Sequence, residues 1–552
     1  MPPRQPLSVF DSHEVTNQPP PLVDYNLFDS DPVLRAALAR EGAAWAEDKV
    51  RAFGAALGSE RVAELADAAN RHPPELRAFD RYGRRIDEVV YHPAYHELMA
   101  LAKSHEVHSI AWREARLGGH VAHMALEYLL VQAEPGVCCP ITMTYASLPA
   151  LRKQPEVAAE WQPRILAAAY DPRFVPAAEK AGVTIGMAMT EKQGGSDVRA
   201  NATRAVPLGA ADEYALTGHK WFCSAPMSDA FLTLAQTEAG LTCFLVPRWR
   251  PDGTRNPFFI QRLKDKLGDR SNASSEIEYR GTWARLVGEA GQGVRTIIEM
   301  VHHTRLDTAL AAAGLMRQAV VQAVHHASHR VAFQRLLADQ PLMCNVLADL
   351  VLEWAAATML ATRVARSFDE AAADPAAAPL SRLMVAVAKY WLNKRVPGHV
   401  CEAMECLGGA GYIEESGMPR LYRQAPLNGI WEGSGNVICL DVLRTLKREP
   451  AAVEALFAEL GAARGGDRRL DRAIERLAAG LREGAARESD ARRLVEAMAV
   501  TLQAALLVRH GPPPAADAFC ASRLADERGA TYGTLPAGSA FDTIIELGRV
   551  SG

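Results

Sequence analysis

Apolar positions recur at three- and four-residue intervals along most of the chain and alternate in one central stretch, so the pattern predicts helices, then strands, then helices. From Pro32 to Gln162 the repeat is helical, clearest over Val33 to Leu57 and His120 to Gln132, with breaks at Pro73-Pro74 and Pro135-Gly136. Between Val183 and Val287, short runs (Thr184 to Met189, Tyr214 to Phe222, Ala230 to Gln236, Leu241 to Val246, Glu276 to Tyr279) predict a small antiparallel sheet or barrel. Helical spacing returns after Gly293, over Arg295 to Leu337, Met343 to Asp369, Leu380 to Leu407 and Ser434 to Lys447, with stripes broad enough to pack as a bundle. The expected fold is α+β, mainly α: an N-terminal arm (1–31), a helical domain (32–182), a β domain (183–287), a helical bundle (288–446) and an extra helical domain (447–552).

At 552 residues the chain is too long for one ordinary core, which agrees with several domains. Its 49% hydrophobic and 23% charged content is that of a globular protein, and no apolar run in the sequence suggests a bilayer span. The amino terminus lacks a basic-then-apolar leader, so a cytoplasmic location is expected. Six prolines in the first two dozen residues predict an extended arm, either mobile or packed on a neighbouring subunit. Nine cysteines without CxxC pairs fit reduced thiols better than a disulfide frame or a zinc site. His325, His326 and His329 have no carboxylate or cysteine at ligand spacing and are expected as helix-surface or packing histidines, so no metal is predicted.

Two glycine turns carry the candidate chemistry. Ile430-Trp431-Glu432-Gly433-Ser434-Gly435-Asn436 presents a carboxylate among apolar neighbours, and reduced solvation raises its proton affinity toward the range of a general base. Taken alone, Glu432 is better explained as an acid favouring the positive end of the following helix. Met187-Ala188-Met189-Thr190-Glu191-Lys192-Gln193-Gly194-Gly195-Ser196-Asp197 offers small residues and hydroxyl donors suited to a planar cofactor, though a turn between strands uses the same residues.

These motifs and their order resemble the acyl-CoA dehydrogenase family, and most closely its alkylation-response branch. The likeness extends to Arg262-Leu263-Lys264-Asp265-Lys266-Leu267-Gly268, Glu414-Glu415-Ser416 and Leu407-Gly408-Gly409-Ala410-Gly411-Tyr412, and to Thr304-Arg305 followed by Arg330, Phe333 and Gln340. The resemblance implies FAD, with Met187, Met189, Thr190, Gly195, Ser196, Trp221, Cys223 and Ser224 on the flavin side. It also implies that Arg330, Phe333, Gln340, Gly408, Gly409, Ser434 and Asn436 make further cofactor contacts, the first three across a homotetramer interface. Glu432 falls on the catalytic base, with Arg305 and Trp431 on the substrate side. Its implied substrate is an acyl-CoA, short and branched, or a reactive alkylating compound. Its implied partner is double-stranded DNA, which the protein shields from alkylation. Departures from the family pattern argue for slow turnover: Cys223 where a hydroxyl is usual, Trp431 where tyrosine is usual, and His302 where an acid is common.

The extra domain bears on the DNA reading. Over residues 467–484, helical spacing puts Leu470, Ile474, Leu477 and Leu481 on one stripe and Arg468, Arg469, Arg472 and Arg476 opposite. Arg444, Arg448, Arg523 and Arg528 extend the candidate basic patch. From Arg444 to Arg509 there are 13 Lys/Arg against 10 Asp/Glu, so a solvated, salt-bridged face competes with phosphate binding. A formal net charge of −4 requires any DNA contact to be a local patch. A dedicated dehydrogenase or flavin oxidase without a DNA role is the alternative function.

Overall fold

The computed structural model describes residues 6–114, 116–209, 212–482, 487–525, 527 and 529–550. The arm comes first, followed by helices α1 (Pro32–Arg40), α2 (Glu47–Leu57) and α3 (Glu60–Arg71). A hairpin of β1 (Glu75–Phe79) and β2 (Arg85–Val90) interrupts the helical domain, which resumes with α4 (Pro93–Ser104), α5 (Ile110–Arg113), α6 (Gly119–Ala133), α7 (Cys138–Leu151) and α8 (Pro155–Ile165). The hairpin was not foreseen: its exposed and half-exposed positions give only a weak apolar alternation. Helix α6 is buried on nearly every side, His120, His123, Glu127 and Gln132 included, as suits the centre of a multi-helix core.

The β domain holds β3 (Ile185–Ala188), β4 (Arg204–Pro207), β5 (Glu213–Ser224), β6 (Ala230–Thr237), β7 (Gly240–Pro247), β8 (Phe258–Leu263) and β9 (Ser274–Leu286). Pairing runs β6-β4-β5-β9-β7 and back to β6, so five strands close into a barrel, with β3 added on β6 and β8 on β9. The expectation of a purely antiparallel sheet needs correcting, because β3 and β4 both lie parallel to β6. Strands β4 and β8 were not read from the sequence; β4 has a single buried residue and no clean alternation.

The bundle consists of α9 (Gly293–His329), α10 (Pro341–Ala373), α11 (Ala378–Cys406), α12 (Met418–Gln424) and α13 (Gly435–Arg448). Helix α9 stops at His329 instead of running to Leu337. A two-residue-a-side hairpin, β10 (Val331–Ala332) with β11 (Arg335–Leu336), follows, turned by Phe333 and Gln334 at φ 52° and 65°. Helix α10 also corrects the expectation about bilayer-length runs: one 18-residue window has a mean hydropathy of 1.4, but 72% of it is buried within the bundle, as in a core helix.

The extra domain comprises α14 (Pro450–Gly461), α15 (Arg468–Arg482), α16 (Ala491–His510), α17 (Pro513–Phe519) and α18 (Phe541–Glu546). It is welded to the bundle by a buried ion cluster: Arg523 pairs with Asp349 and, at 3.1 Å, with Glu353, which also takes Arg395 at 3.0 Å. The arm lies on its own chain. The Asn17 side chain accepts from Val331 N at 2.7 Å and donates to Val331 O at 2.9 Å, and Arg330 donates to Asn17 O at 2.6 Å.

Candidate active site

Glu432 sits in a loop whose backbone is twice left-handed, at φ 56° for Glu432 and 104° for Gly433. At φ 104° Gly433 occupies a left-handed backbone region that other residues adopt only under strain, which favours glycine there. A glutamate at positive φ is uncommon and costs roughly 1–3 kcal/mol, a strain that concentrates at functional sites. Four groups hold it. Thr304, on α9, donates to Glu432 Oε2 at 2.7 Å, and Arg305 Nε donates to the Glu432 carbonyl at 3.2 Å. From α11, Lys389 Nζ donates to Trp431 O at 2.9 Å and to Gly433 O. The Trp431 indole N–H donates to Asn428 Oδ1 at 2.7 Å, fixing the ring beside the base.

The Glu432 carboxyl keeps some solvent contact but is ringed by protein. Burial raises its pKa above the ordinary carboxylate value, against the Thr304 hydrogen bond and the charges of Lys389 and Arg305. Lys389 is buried, and desolvation pushes its pKa down to about 7 despite the neighbouring Glu432. Arg305 was expected to face substrate. Its guanidinium instead spans the Glu432 carbonyl and Asp441 Oδ2 at 2.8 Å, so its structural work is to anchor the loop to α13. His302 stacks flat on Phe368, with ring centres 4.3 Å apart and 14° between planes.

The second glycine turn is built around a residue the sequence motif did not single out. The Glu191 carboxylate is buried and accepts from Lys220 Nζ at 2.9 Å, Ala202 N at 2.7 Å and Thr203 N at 3.2 Å. Burial alone would raise its pKa, but Lys220 and these donors outweigh it and hold it at about 2. Trp221 N donates to Thr190 O at 2.8 Å, tying the turn to β5. Met187, Met189, Thr190, Gly195, Trp221 and Ser224 are half-exposed and Ser196 is exposed, a set of thioethers, hydroxyls and an indole whose chemistry fits a planar group. Lys264 Nζ sits 3.2 Å from the Trp221 ring centre.

Cys223 does not belong to that surface. Its side chain is fully buried, turned inward by the irregular register between Lys220 and Cys223, and burial lifts its thiol to about 12. Phe333 is 92% exposed at the tip of the β10–β11 hairpin, while Gln340 Nε2 donates to Ala332 O at 3.0 Å and braces the hairpin. Gly408 and Gly409 are exposed with open space beside them. Ser434 precedes the first residue of α13 without capping it through its side chain. Asn436 was expected to touch the cofactor, but its Oδ1 accepts from Arg492 Nε of α16 at 2.8 Å, so the extra domain reaches the base-bearing motif directly.

The basic patch divides. Arg468, Arg472 and Arg476 are exposed on α15 opposite buried Leu470, Ile474 and Leu477. Arg469 is held by Asp467 at 2.5 Å and Asp517 at 2.6 Å. Arg444 is exposed but pairs with Asp441 at 3.3 Å, and Arg448 is exposed. Arg523 cannot meet DNA: its side chain is 3% exposed within the acidic cluster described above. Arg528 lies outside the described residues.

Comparison with known proteins matches residues 17–172 to the adaptive response protein AidB N-terminal domain, 186–282 to the acyl-CoA dehydrogenase middle domain and 291–447 to the acyl-CoA dehydrogenase C-terminal domain. The chain is 45% identical over 520 residues to AidB of Escherichia coli strain K12, covering 94% of this chain and 95% of that one. It is 32% identical to acyl-CoA dehydrogenase family member 11 of Caenorhabditis elegans, over 76% of this chain and 70% of the relative. The crystal structure of C. elegans ACDH-11 in complex with C11-CoA superposes with a TM-score of 0.83 at 27% identity, over 94% of this chain and 95% of that one. A Bacillus anthracis acyl-CoA dehydrogenase complexed with FAD shares the fold, with a TM-score of 0.65 at 18% identity over 79% of this chain and 81% of that one.

The chain belongs to the acyl-CoA dehydrogenase family of FAD-dependent oxidoreductases. Within the family its N-terminal domain and full-length similarity align it with AidB.

Proposed function

We propose that this flavoprotein desaturates acyl-CoA thioesters slowly, with Glu432 as the base that removes the proton beside the thioester carbonyl. The observation carrying this reading is the strained Glu432 turn, held by Thr304 and Arg305 at Glu432 itself and by Lys389 at the carbonyls on either side. A carboxylate kept partly desolvated has its proton affinity tuned toward neutrality, as a general base requires. Thr304 orients the attacking oxygen, and Lys389 with Arg305 stops the loop from relaxing out of its left-handed turn. Met187, Met189, Thr190, Gly195, Ser196, Trp221 and Ser224 would hold the isoalloxazine. Bound FAD supplies the hydride acceptor. Trp431, larger than the usual tyrosine, narrows the acyl side and favours short branched chains. Anaerobic mixing with a panel of branched acyl-CoAs tests this reading: bleaching of the flavin absorbance by at least one member supports it, and silence from all of them overturns it.

A second role rests on the exposed Arg468, Arg472 and Arg476 row. These arginines, with Arg448 and Arg444, suit the phosphates of double-stranded DNA, and the fit is to backbone charge without a base-reading element. In this reading the protein coats DNA and shields it from alkylation, in the cytoplasm, as a homotetramer. Phe333, exposed at a braced hairpin tip, is the residue best suited to cross such an interface toward a neighbour's FAD. Duplex-DNA titration at several ionic strengths tests the DNA role, which requires affinity to fall steeply with salt.

A further inference from the structure

A cavity of ≈290 Å³ lies between β2, α4 and the loop that leads into β6. Thr184 lines it immediately before β3, whereas Met189 and Thr190 follow β3. The four-residue strand separates the two places by roughly 13 Å. Pro140 and Ala225 form part of its wall, and their chain neighbours Cys139 and Ser224 touch each other, with Cys139 within reach of the Glu432 charge, so the cavity backs onto residues that border the active site.

Its walls are aromatic and flat. Tyr91 and Tyr95 stack with ring centres 4.2 Å apart and 18° between planes. His96 and Tyr170 share a 2.9 Å hydrogen bond, with rings 27° from parallel. Phe174 closes the set, backed by the guanidinium of Arg248 at 4.7 Å and that of Arg255 at 4.6 Å.

One end is polar and incompletely satisfied. Ser228 lines the cavity and is 3% exposed, and its hydroxyl has no hydrogen-bond partner among the described residues. Lys180, also lining it, pairs with Asp229 at 2.7 Å. Lys103 is buried behind and also feels Asp229, while its own hydrogen bond goes to Val183 O at 3.1 Å. Desolvation pushes the Lys103 pKa down to about 7, so it adds a partial second positive charge beside the one carboxylate. The acids on the other walls do not offset this: Asp171 is held by Arg173 at 2.6 Å, and Glu88 is half-exposed, where solvent screens it. A buried hydroxyl without a partner costs free energy that a ligand acceptor recovers.

We propose that this cavity is a second small-molecule site that binds a small planar carboxylate, with an aromatic ring against Tyr95 and Tyr170 and the carboxylate directed to Ser228 Oγ and Lys180. A size of one ring with a short acidic side chain suits the space. No chemistry is assigned to the site; it is a binding site separate from the acyl channel.

The test uses the full-length, FAD-loaded protein and calorimetric titration with benzoate, phenylacetate and indole-3-acetate, against benzyl alcohol and benzylamine as matched neutral and cationic probes. At least one carboxylate is expected to bind at least about tenfold more tightly than either control. Ser228→Ala is expected to weaken that binding by about tenfold while leaving the melting temperature of the ligand-free protein unchanged or higher, because it deletes an unpartnered buried hydroxyl. Lys180→Met is expected to abolish discrimination between benzoate and benzylamine. Saturating acyl-CoA should not displace the bound carboxylate. The proposal is overturned by absence of binding across the panel, by equal binding of benzylamine, by an unaffected Ser228→Ala protein, or by displacement with acyl-CoA, which would assign the ligand to the substrate channel.

Discussion

The Thr304 hydroxyl donates to the Glu432 carboxylate at 2.7 Å, joining the middle of α9 to the turn before α13 across 128 residues of chain. This bond stabilises the ionised carboxylate, whereas burial opposes ionisation and prevails, so the carboxyl titrates above its ordinary value of 4.5. The base must be ionised to act, so flavin bleaching should rise with pH through a midpoint above 4.5.

Thr304→Val should move that midpoint to higher pH, because it removes a contact that lowers the carboxyl's pKa. One neutral-to-charged hydrogen bond is worth about 1.5–3 kcal/mol, so a shift of about 1–2 pH units is expected in the pH dependence of the anaerobic bleaching rate. A midpoint that moved downward would show that Thr304 does not bond the ionised form.

Lys389→Met should also raise the midpoint, since it removes a cation near the carboxylate. It further leaves the Trp431 and Gly433 carbonyls without their donor, at a cost of about 1–3 kcal/mol for each buried acceptor left unsatisfied. Thermal unfolding followed alongside the bleaching rate separates the effects: the variant should lose both stability and rate, whereas Thr304→Val should lose mainly rate.

The arginines of the extra domain should separate cleanly by location. Arg472→Ala should leave the melting temperature within error, weaken duplex-DNA binding at low salt and reduce the slope of log affinity against log salt by about 1. Arg523→Ala should destabilise by about 3–5 kcal/mol, because Asp349 and Glu353 lose a buried partner. Melting and salt-titration curves on both variants check this. A stable Arg523→Ala protein with selectively weakened DNA binding would contradict the buried ion cluster.

Phe333→Asp should leave the monomer fold intact, since the side chain is 92% exposed, but reduce assembly and FAD retention if the hairpin tip crosses a subunit interface. Analytical ultracentrifugation with flavin absorbance reads both. An unchanged assembly with unchanged yellow colour would remove the hairpin from the interface.

Much of this was legible in the sequence, and the failures have physical causes. Long helices with broad stripes and the two glycine turns were readable because period and composition agree at those places. The β1–β2 hairpin and β4 were not, because strands that bury little carry little alternation. The stop of α9 at His329 goes against a helical pattern that continues past it: the side chain of Asn17, more than 300 residues earlier, supplies the bonds to Val331 that the helix would have made. Lys389 and the Glu191–Lys220 pair were missed because a lysine or glutamate in a sequence is read as surface by default, and only tertiary packing shows it buried and bonded. Arg305 and Arg523 were assigned to ligands for the converse reason: the acids that claim them, Asp441, Asp349 and Glu353, come from other helices.

The central claim, that Glu432 is the base acting on substrate opposite the flavin surface, is tested most directly by rapid anaerobic mixing of the FAD-loaded protein with a branched acyl-CoA that bleaches it, comparing the native chain with Glu432→Gln at matched flavin content. The account predicts a loss of at least about a hundredfold in the bleaching rate, the scale expected for removing a general base, with acyl-CoA still bound. Equal bleaching rates in the two proteins would contradict it.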